Sequence, residues 1–300
     1  MDYLAIGHPT IDEGTPQGDV IGGTVLYACV QAARLGWRAG FVGGAAPDEL
    51  APLLAPFAGE VEAWVQPAER TTRFLNVSHG DSRTQWVTAQ ARPLDCGRLV
   101  APTPGPAPTP TSPASAEARV RVLHVAPIAR EVDLGEAIGA VDAEVVGVTP
   151  QGLIRQWGED GRVAHVPLTL ADGRDEVAAG IDVVVMAEDE RPFVEALTRA
   201  VRRHGGIVVV TKGSQGCLVE TAAGAQAVPA LPVVEAVDRT GAGDVFAATL
   251  LVGLAEGREV ADAVRFAMAA ASCSIEGVGP GAVAGREAIE RRLAAAGPRS

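Results

Sequence analysis

Short apolar runs and helical patterns alternate along most of the chain. Residues 3–7 form an apolar run that ends in glycine, which predicts a buried first strand, and residues 39–42 predict a second strand. Between them, Gly22 and Gly23 precede a helical pattern of apolar positions that ends near Gly36. A strand, a helix and a second strand in this order predict a parallel sheet with helices packed on its faces.

The same alternation returns in the second half of the chain. Strand-like apolar runs occupy residues 120–125, 144–148, 183–186 and 206–211, and residues 191–204 carry a helical pattern between the last two. Repeated strands and helices with short connections are typical of a doubly wound, mostly parallel α/β sheet. The whole chain, residues 1–300, is therefore predicted to be one α/β domain.

Two segments differ from this pattern. Apolar and polar residues alternate in residues 61–65, 73–78 and 84–88, with turn-forming residues at 79–82, which predicts half-exposed antiparallel strands. We expect residues 62–92 to form a small antiparallel sheet that projects from the domain as a lid. Residues 101–115 are rich in proline and are predicted to be a solvated connector, in preference to a recognition segment.

Composition and charge exclude several classes of function. The net charge of −12 and the absence of a Lys/Arg run argue against nucleic-acid binding. The four cysteines lack the spacing of a zinc site. The first residues do not have the basic and apolar regions of a signal peptide, and no apolar run approaches the length of a membrane span. We therefore expect a cytoplasmic protein without a membrane partner.

The segment 237–246 carries the clearest chemical signal. Gly241, Ala242 and Gly243 lead directly into a helical pattern that ends near Gly257. Small residues at a helix start allow backbone N–H groups to point at an anion, and the helix dipole favours negative charge there. Asp244, in the first turn, would lie beside these amides and could accept a proton. The residues alone leave open a structural alternative, in which Asp244 caps the helix and the glycines form a turn.

Residues 238–244, Asp-Arg-Thr-Gly-Ala-Gly-Asp, resemble the D-x-T-G-A-G-D signature of the ribokinase-like (PfkB) carbohydrate kinases. The resemblance implies that Asp244 is the catalytic base and that the amides of Gly241, Ala242 and Gly243 form the anion hole. It also implies that Asp238 and Thr240 help to hold a monovalent cation such as K⁺. ATP and Mg²⁺ are the cofactors that the family implies.

Further stretches match the family in order along nearly the whole chain. Gly22 and Gly23 are similar to a glycine pair that approaches the sugar, and Asp12 falls at the position of the substrate-binding aspartate. Residues 209–216 resemble the strand and glycine-rich loop of the nucleotide site, although a strand followed by a hairpin turn describes the same residues. The nucleotide contacts that this match implies are Thr211, Lys212, Gly213, Ser214 and Gly216.

The chain departs from the family pattern at two places. Residues 187–190 keep the glutamate of an N-x-x-E motif but lack its asparagine, so that Glu190 is the candidate for the Mg²⁺ water shell. Tyr27 replaces the asparagine that the ribokinase pattern expects, which disfavours ribose and makes Tyr27 a candidate substrate contact. Together with Tyr27, residues 145–155 are similar to the myo-inositol kinase branch. Arg155 would either pair with phosphate or cap a helix.

These observations predict transfer of a phosphoryl group from ATP to a hydroxyl of a sugar or cyclic polyol, with a myo-inositol-like acceptor favoured. A nucleoside kinase with this fold, or a non-catalytic ligand-binding or regulatory protein that keeps it, are the alternatives. The P-loop motif G-x-x-x-x-G-K-[ST] does not occur in the sequence, which excludes a kinase of that class. A homodimer formed through the lid is a further expectation that the resemblance implies.

Overall fold

A computed structural model describes residues 1–15, 18–79, 82–99, 119–169 and 174–297. The predicted proline-rich connector, residues 101–115, lies outside the described residues. The strands are β1 (Tyr3–Ile6), β2 (Thr10–Thr15), β3 (Gly18–Gly22), β4 (Ala39–Ala45), β5 (Val61–Pro67), β6 (Thr72–His79), β7 (Ser82–Ala89), β8 (Val120–Val125), β9 (Ala143–Val148), β10 (Arg155–Trp157), β11 (Val163–His165), β12 (Val183–Ala187), β13 (Ile207–Thr211), β14 (Cys217–Thr221) and β15 (Gly224–Val228).

The α-helices are α1 (Thr24–Arg34), α2 (Pro47–Leu54), α3 (Leu134–Gly139), α4 (Gln151–Ile154), α5 (Arg174–Ala179), α6 (Glu195–Arg203), α7 (Ala242–Ala255), α8 (Val260–Ser274) and α9 (Arg286–Ala295). Short 3₁₀ turns occupy Ala55–Phe57, Cys96–Leu99, Arg191–Phe193, Gly213–Gln215 and Pro280–Ala282. None of these helices is long and apolar enough to cross a membrane.

The main sheet has nine strands within the described ranges, in the order β15-β14-β13-β12-β9-β8-β1-β4-β5. In this sheet, the neighbouring strands between β13 and β5 all pair in parallel. Strands β14 and β15 extend the sheet at one edge with antiparallel pairings. The chain winds outwards from β1 first to β4 and β5 and later to β8 and β9. The predicted doubly wound, mostly parallel sheet is confirmed.

Strand β1 shows how the apolar runs build two cores. Tyr3 and Ala5 point into one buried cluster, together with α1, α7 and α8, whereas Leu4 and Ile6 point into a second cluster with α3 and α6. Side chains alternate between the two faces of a strand, so a strand that is covered on both faces must be apolar at every position. This explains why β1 and β12 are continuous apolar runs.

A separate four-stranded sheet has the order β3-β2-β6-β7. Its outer pairings are antiparallel, and the central pairing of β2 with β6 is parallel. The predicted boundaries of the lid, 62–92, differ from this sheet. Residues 61–67 form β5, which is the edge strand of the main sheet. The sequence pattern did not reveal this, because a half-exposed edge strand shows the same alternation of apolar and polar residues as a lid strand. Residues 10–22, which supply β2 and β3, were not predicted in the lid, because their polar composition is typical of a loop.

The topology places a cleft at the carboxyl ends of the parallel strands. Next to β1 the strand order reverses, and in open α/β sheets ligands bind outside the carboxyl ends of the strands at such a point. The four-stranded sheet lies over this edge, since β2 follows β1 after a short link. The amino end of α7 also reaches the cleft.

Candidate active site

The turn before α7 is held in a defined conformation. Gly241 has a φ of 77°, in the left-handed region that favours glycine, and its carbonyl oxygen accepts the N–H of Val245 at 2.9 Å. Asp238 accepts the backbone N–H of Thr240 through Oδ1 at 2.9 Å, which fixes the turn two residues earlier. The residues predicted to form the anion hole therefore lie at the amino end of a helix of 14 residues.

The ring of Tyr27 packs against this turn at Gly241. A Cβ atom added to Gly241 would lie only 2.3 Å from the Tyr27 ring, so the glycine is required by space as well as by conformation. The Tyr27 side chain is 4% exposed. Burial raises the pKa of its phenol, and the charges of Asp238 and Asp244 add to this effect. The phenol is therefore neutral at physiological pH.

A polar cleft of about 670 Å³ lies beneath the four-stranded sheet. Its lining comes from β2, β6 and β7 of that sheet, from the start of α1, from α4 and the residue after it, and from the turn before α7. Asp12, Tyr27, Asp238 and Asp244 are among its lining residues, so the structure brings these predicted site residues together. Thr240, Gly241 and Gly243 line it as well.

A chain of hydrogen bonds crosses the roof of the polar cleft. Asn76 Nδ2 donates to Asp12 Oδ1 at 3.0 Å, and Gln85 Nε2 donates to Asn76 Oδ1 at 2.7 Å. Arg155 Nη2 then donates to Gln85 Oε1 at 3.0 Å. All four side chains line the cleft. The chain fixes the orientation of each amide and joins the small sheet to the body of the domain.

Arg155 is anchored from the body side. Its guanidinium donates to the carbonyl oxygen of Ile128 at 3.0 Å and lies 5.1 Å from the centroid of the Phe74 ring. The residue is 2% exposed. Arg155 is the C-cap residue of α4, and its guanidinium is directed to the roof of the cleft.

The glycine pair before α1 has a structural reason to be small. A Cβ on Gly22 would lie 2.9 Å from Asp12 Oδ2, and Gly23, at a φ of 89°, would place a Cβ 2.9 Å from the backbone oxygen of His8. Gly23 lines the polar cleft, whereas Gly22 stands behind Asp12. The pair therefore lets Asp12 and the start of α1 approach closely.

A second, apolar cleft of about 530 Å³ lies on the other side of the α7 turn. One wall is the glycine-rich loop after β13, with Thr211, Gly213, Ser214 and Gly216. Gly216 has a φ of 92°, and a Cβ there would lie 2.0 Å from the backbone oxygen of Val228. The opposite wall is aliphatic and aromatic and is formed by Leu231, Val233, Phe246, Met268, Ala271 and Ile275.

The two clefts meet at the α7 turn. Arg239 and Gly243 line both of them, as does Ala236, while Asp244 lines the polar cleft and Ala242 the apolar one. A Cβ added to Gly243 would meet no heavy atom of the described residues within 4 Å, so the junction is open space. This junction lies at the positive end of the α7 dipole.

Besides Gly22, two further predicted site residues, Lys212 and Glu190, lie outside both linings. Lys212 Nζ forms an ion pair with Glu188 Oε1 at 2.6 Å. Glu190 is 5% exposed. Its carboxylate accepts a hydrogen bond from the Ala187 N–H at 2.9 Å and another from the Gln151 side chain. Its burial raises the pKa of its carboxyl group. Their roles as ligand contacts stay predictions.

The described residues do not include a preformed metal centre: they contain no group of three or more His, Cys, Asp or Glu that could hold an ion. Among the residues that the structure describes, no carboxylate lines the apolar cleft. Mg²⁺ is commonly bound through substrate phosphates with few protein ligands. The lining therefore fits an ion that arrives on a nucleotide, and Asp238 and Thr240 as a cation site stay a prediction.

Sequence reasoning missed part of the polar cleft. Phe74, Asn76 and Gln85 line it from the small sheet, and Gln151 lines it from α4. The alternation in β6 would have put Phe74 and Asn76 on one face, but the pattern alone does not show which face meets a ligand. Arg73, which is also on β6, does not line the cleft; it forms ion pairs with Glu13 and Asp19.

Comparison with known proteins agrees with this geometry. Residues 176–284 match the pfkB family of carbohydrate kinases. The chain is similar to ribokinase of Bacillus subtilis, with 37% identity over 98 residues, covering 32% of this chain and 33% of the relative. It is also similar to inositol 3-kinase of Arabidopsis thaliana, with 34% identity over 137 residues, covering 45% of this chain and 37% of the relative. The matches thus span about a third of the length of these curated relatives.

A solved structure extends the similarity in fold to the whole chain. It is a pyrophosphate-dependent kinase of the ribokinase family, complexed with a pyrophosphate analog and myo-inositol. The TM-score is 0.75 at 19% identity, covering 96% of this chain and 99% of that one. Residues 176–284 are therefore similar to the pfkB family of carbohydrate kinases, and nearly the whole chain has the fold of that solved structure.

Proposed function

We propose that the protein is a phosphotransferase that moves the terminal phosphoryl group of MgATP to a hydroxyl of a sugar or cyclic polyol. The observation that carries this proposal is the position of the α7 turn, where a carboxylate and a helix amino end lie at the junction of a polar and an apolar cleft. An acceptor in one cleft and a nucleotide in the other would meet at this junction.

The proposal gives each residue at the junction a role. The acceptor oxygen attacks the γ-phosphorus and forms the new P–O bond, while the bond from phosphorus to the β,γ-bridging oxygen breaks and ADP leaves. Asp244 takes the proton of the acceptor hydroxyl. The amides of Gly241, Ala242 and Gly243 stabilise the negative charge on the transferring group. Mg²⁺ bound to the ATP phosphates would supply charge neutralisation.

The apolar cleft supports a nucleotide as the donor. Six aliphatic or aromatic side chains form one wall, which suits the faces of a purine ring. Pyrophosphate, the donor named for the solved relative, has no apolar part that could use this wall. ATP is therefore the proposed donor, and Gly213, Ser214 and Gly216 are its proposed backbone neighbours.

The polar cleft supports a polyol as the acceptor. Asp12, Asn76, Gln85 and Arg155 present carboxylate, amide and guanidinium groups in fixed orientations. Such groups bind vicinal hydroxyls, and a myo-inositol-like ring has hydroxyls on every side. Closure of the small sheet would exclude water and limit hydrolysis of ATP. A homodimer through this sheet, and K⁺ at Asp238 and Thr240, belong to the same proposal.

The proposal is tested by measuring phosphate transfer with two donors and a panel of acceptors. MgATP and magnesium pyrophosphate are each paired with myo-inositol, other polyols, hexoses, pentoses and nucleosides, and Asp244→Asn is the blank. We expect turnover from MgATP to a polyol that disappears in the blank. Turnover from pyrophosphate alone would overturn the donor, and transfer only to nucleosides would overturn the acceptor. Binding of ATP without transfer to any acceptor would favour a non-catalytic protein.

A further inference from the structure

Arg239 holds a position that the signature motif leaves variable. It occupies the x of D-x-T-G-A-G-D, and it is exposed. Its backbone oxygen accepts the N–H of Ala242, at 3.4 Å, so the base of the side chain is tied to the start of α7. The side chain stands at the junction and lines both clefts.

Few of the described charged residues line the apolar cleft, and this makes the charge of Arg239 important for an anionic ligand. Within the part of the chain that the structure describes, Arg239 is the only charged residue that lines the apolar cleft. Lys212, the only lysine of the sequence, lies outside that lining and is paired with Glu188. A triphosphate that enters this cleft would therefore meet one protein cation.

The polar cleft, on the other side of the junction, carries several carboxylates whose negative charge a cation would offset. The polar cleft is lined by Asp12, Asp238 and Asp244, and Arg155 is directed to Ile128 and Gln85 in its roof. A γ-phosphate that approaches the acceptor would be repelled by these carboxylates. Arg239 forms no ion pair with a carboxylate of the described residues, so its guanidinium is available to a phosphate.

We propose that Arg239 is a phosphate-binding catalytic residue, which contacts the terminal phosphates of the donor and stabilises the phosphoryl group during transfer. This inference rests on the proposed function for its transfer step, but its binding step can be tested without an acceptor. The planar guanidinium would bridge two phosphate oxygens across the junction, a geometry that lysine does not reproduce.

The test uses Arg239→Gln and Arg239→Lys in the full chain, with Arg199→Gln as the matched control. Arg199 is an exposed arginine on α6 that pairs with Glu195 at 2.5 Å and lines neither cleft. Titration calorimetry measures the affinity for MgATP and for adenosine. We expect Arg239→Gln to weaken MgATP binding about tenfold or more and to leave adenosine binding unchanged, with the lysine variant in between.

Turnover gives the second readout. Arg239→Gln should lower kcat by about 10²-fold or more, because the charge on the phosphoryl group is greatest in the transition state. Wild-type values of both MgATP affinity and kcat in Arg239→Gln would overturn the inference. If the wild type transfers phosphate to no acceptor, yet Arg239→Gln still loses MgATP affinity selectively, the proposed function fails and the phosphate contact stands. A wild type that does not bind MgATP overturns both.

Discussion

The polar and apolar clefts share the α7 turn but are built in different ways. The polar cleft is lined by side chains whose hydrogen bonds to one another fix their orientation, as in the chain from Asp12 to Arg155. The apolar cleft has a glycine-rich loop on one side and aliphatic side chains on the other. In the proposed function, the first would discriminate between positions of hydroxyl groups, whereas the second would accept a flat apolar surface and a backbone-bound polar group. In the proposed reaction, specificity for the acceptor would therefore depend on side chains, and specificity for the donor mainly on shape.

The largest effect on turnover is expected at Asp244, the proposed proton acceptor at the junction of the two clefts. Asp244→Asn keeps the size of the side chain but removes the proton acceptor, so turnover should fall by about 10³-fold while the affinities for both substrates change little. Initial rates and calorimetry measure these quantities. Near-normal turnover would show that another group takes the proton and that the junction is not the reaction centre.

The two glycines of the turn provide a matched pair of substitutions. Gly241→Ala would clash with the Tyr27 ring and strain a left-handed φ, so both stability and turnover should fall, the former by about 2 kcal/mol. Gly243→Ala meets only open space and should keep the stability of the wild type, yet its methyl group would enter the junction and lower turnover about tenfold to a hundredfold.

Thermal unfolding and initial rates distinguish the two glycines. Equal loss of stability in both variants would show that the junction is packed, in contradiction to the open space at Gly243.

The separation of the clefts is tested by one substitution in each. Asn76→Ala breaks the chain of hydrogen bonds in the roof and should raise the KM for the acceptor about tenfold without changing the KM for ATP. Ala271→Leu fills the apolar cleft and should do the opposite. If either variant changes both KM values equally, the two clefts are coupled and do not act as separate sites.

The smallest effect concerns Glu190, which lies behind both clefts. Burial raises the pKa of its carboxyl group, so its contribution to stability is present at low pH and is lost as pH rises through the folded-state pKa. Glu190→Gln keeps an acceptor for the Ala187 N–H and should be more stable than the wild type at pH 8, by on the order of 1 kcal/mol, but not at pH 4. Denaturant unfolding at the two pH values measures this difference, and an unchanged difference between them would contradict it.

The sequence predicted the main sheet better than the small one. Strand β8 has its predicted bounds, Val120–Val125, because a strand buried on both faces leaves an uninterrupted apolar run. Strand β2 was missed since Asp12, Glu13 and Gly14 carry the composition of a loop, and its pairing with β6 joins segments that are distant along the chain. Strand β5 was assigned to the wrong sheet because exposure on one face does not reveal the neighbouring strand.

The candidate site shows the same division. The turn before α7 was predicted because its glycines and Asp244 are contiguous in sequence. The roof of the polar cleft was not, because Asn76, Gln85 and Arg155 come together only when three separate segments fold. Arg239 was visible in the motif, but its proposed role depends on its being the only charged residue among the described residues that line the apolar cleft, which only the arrangement in space reveals.

The contact between Tyr27 and Gly241 has a consequence for how this protein can diverge. Tyr27 lines the polar cleft and also packs against the turn of the proposed anion hole, so in the proposed reaction a substitution there would change substrate range and reaction rate together. The roof residues on β6 and β7 do not contact that turn through any hydrogen bond in the described ranges. If the polar cleft holds the acceptor as proposed, new acceptors would be acquired most readily through changes in the small sheet, while position 27 is constrained by two requirements at once.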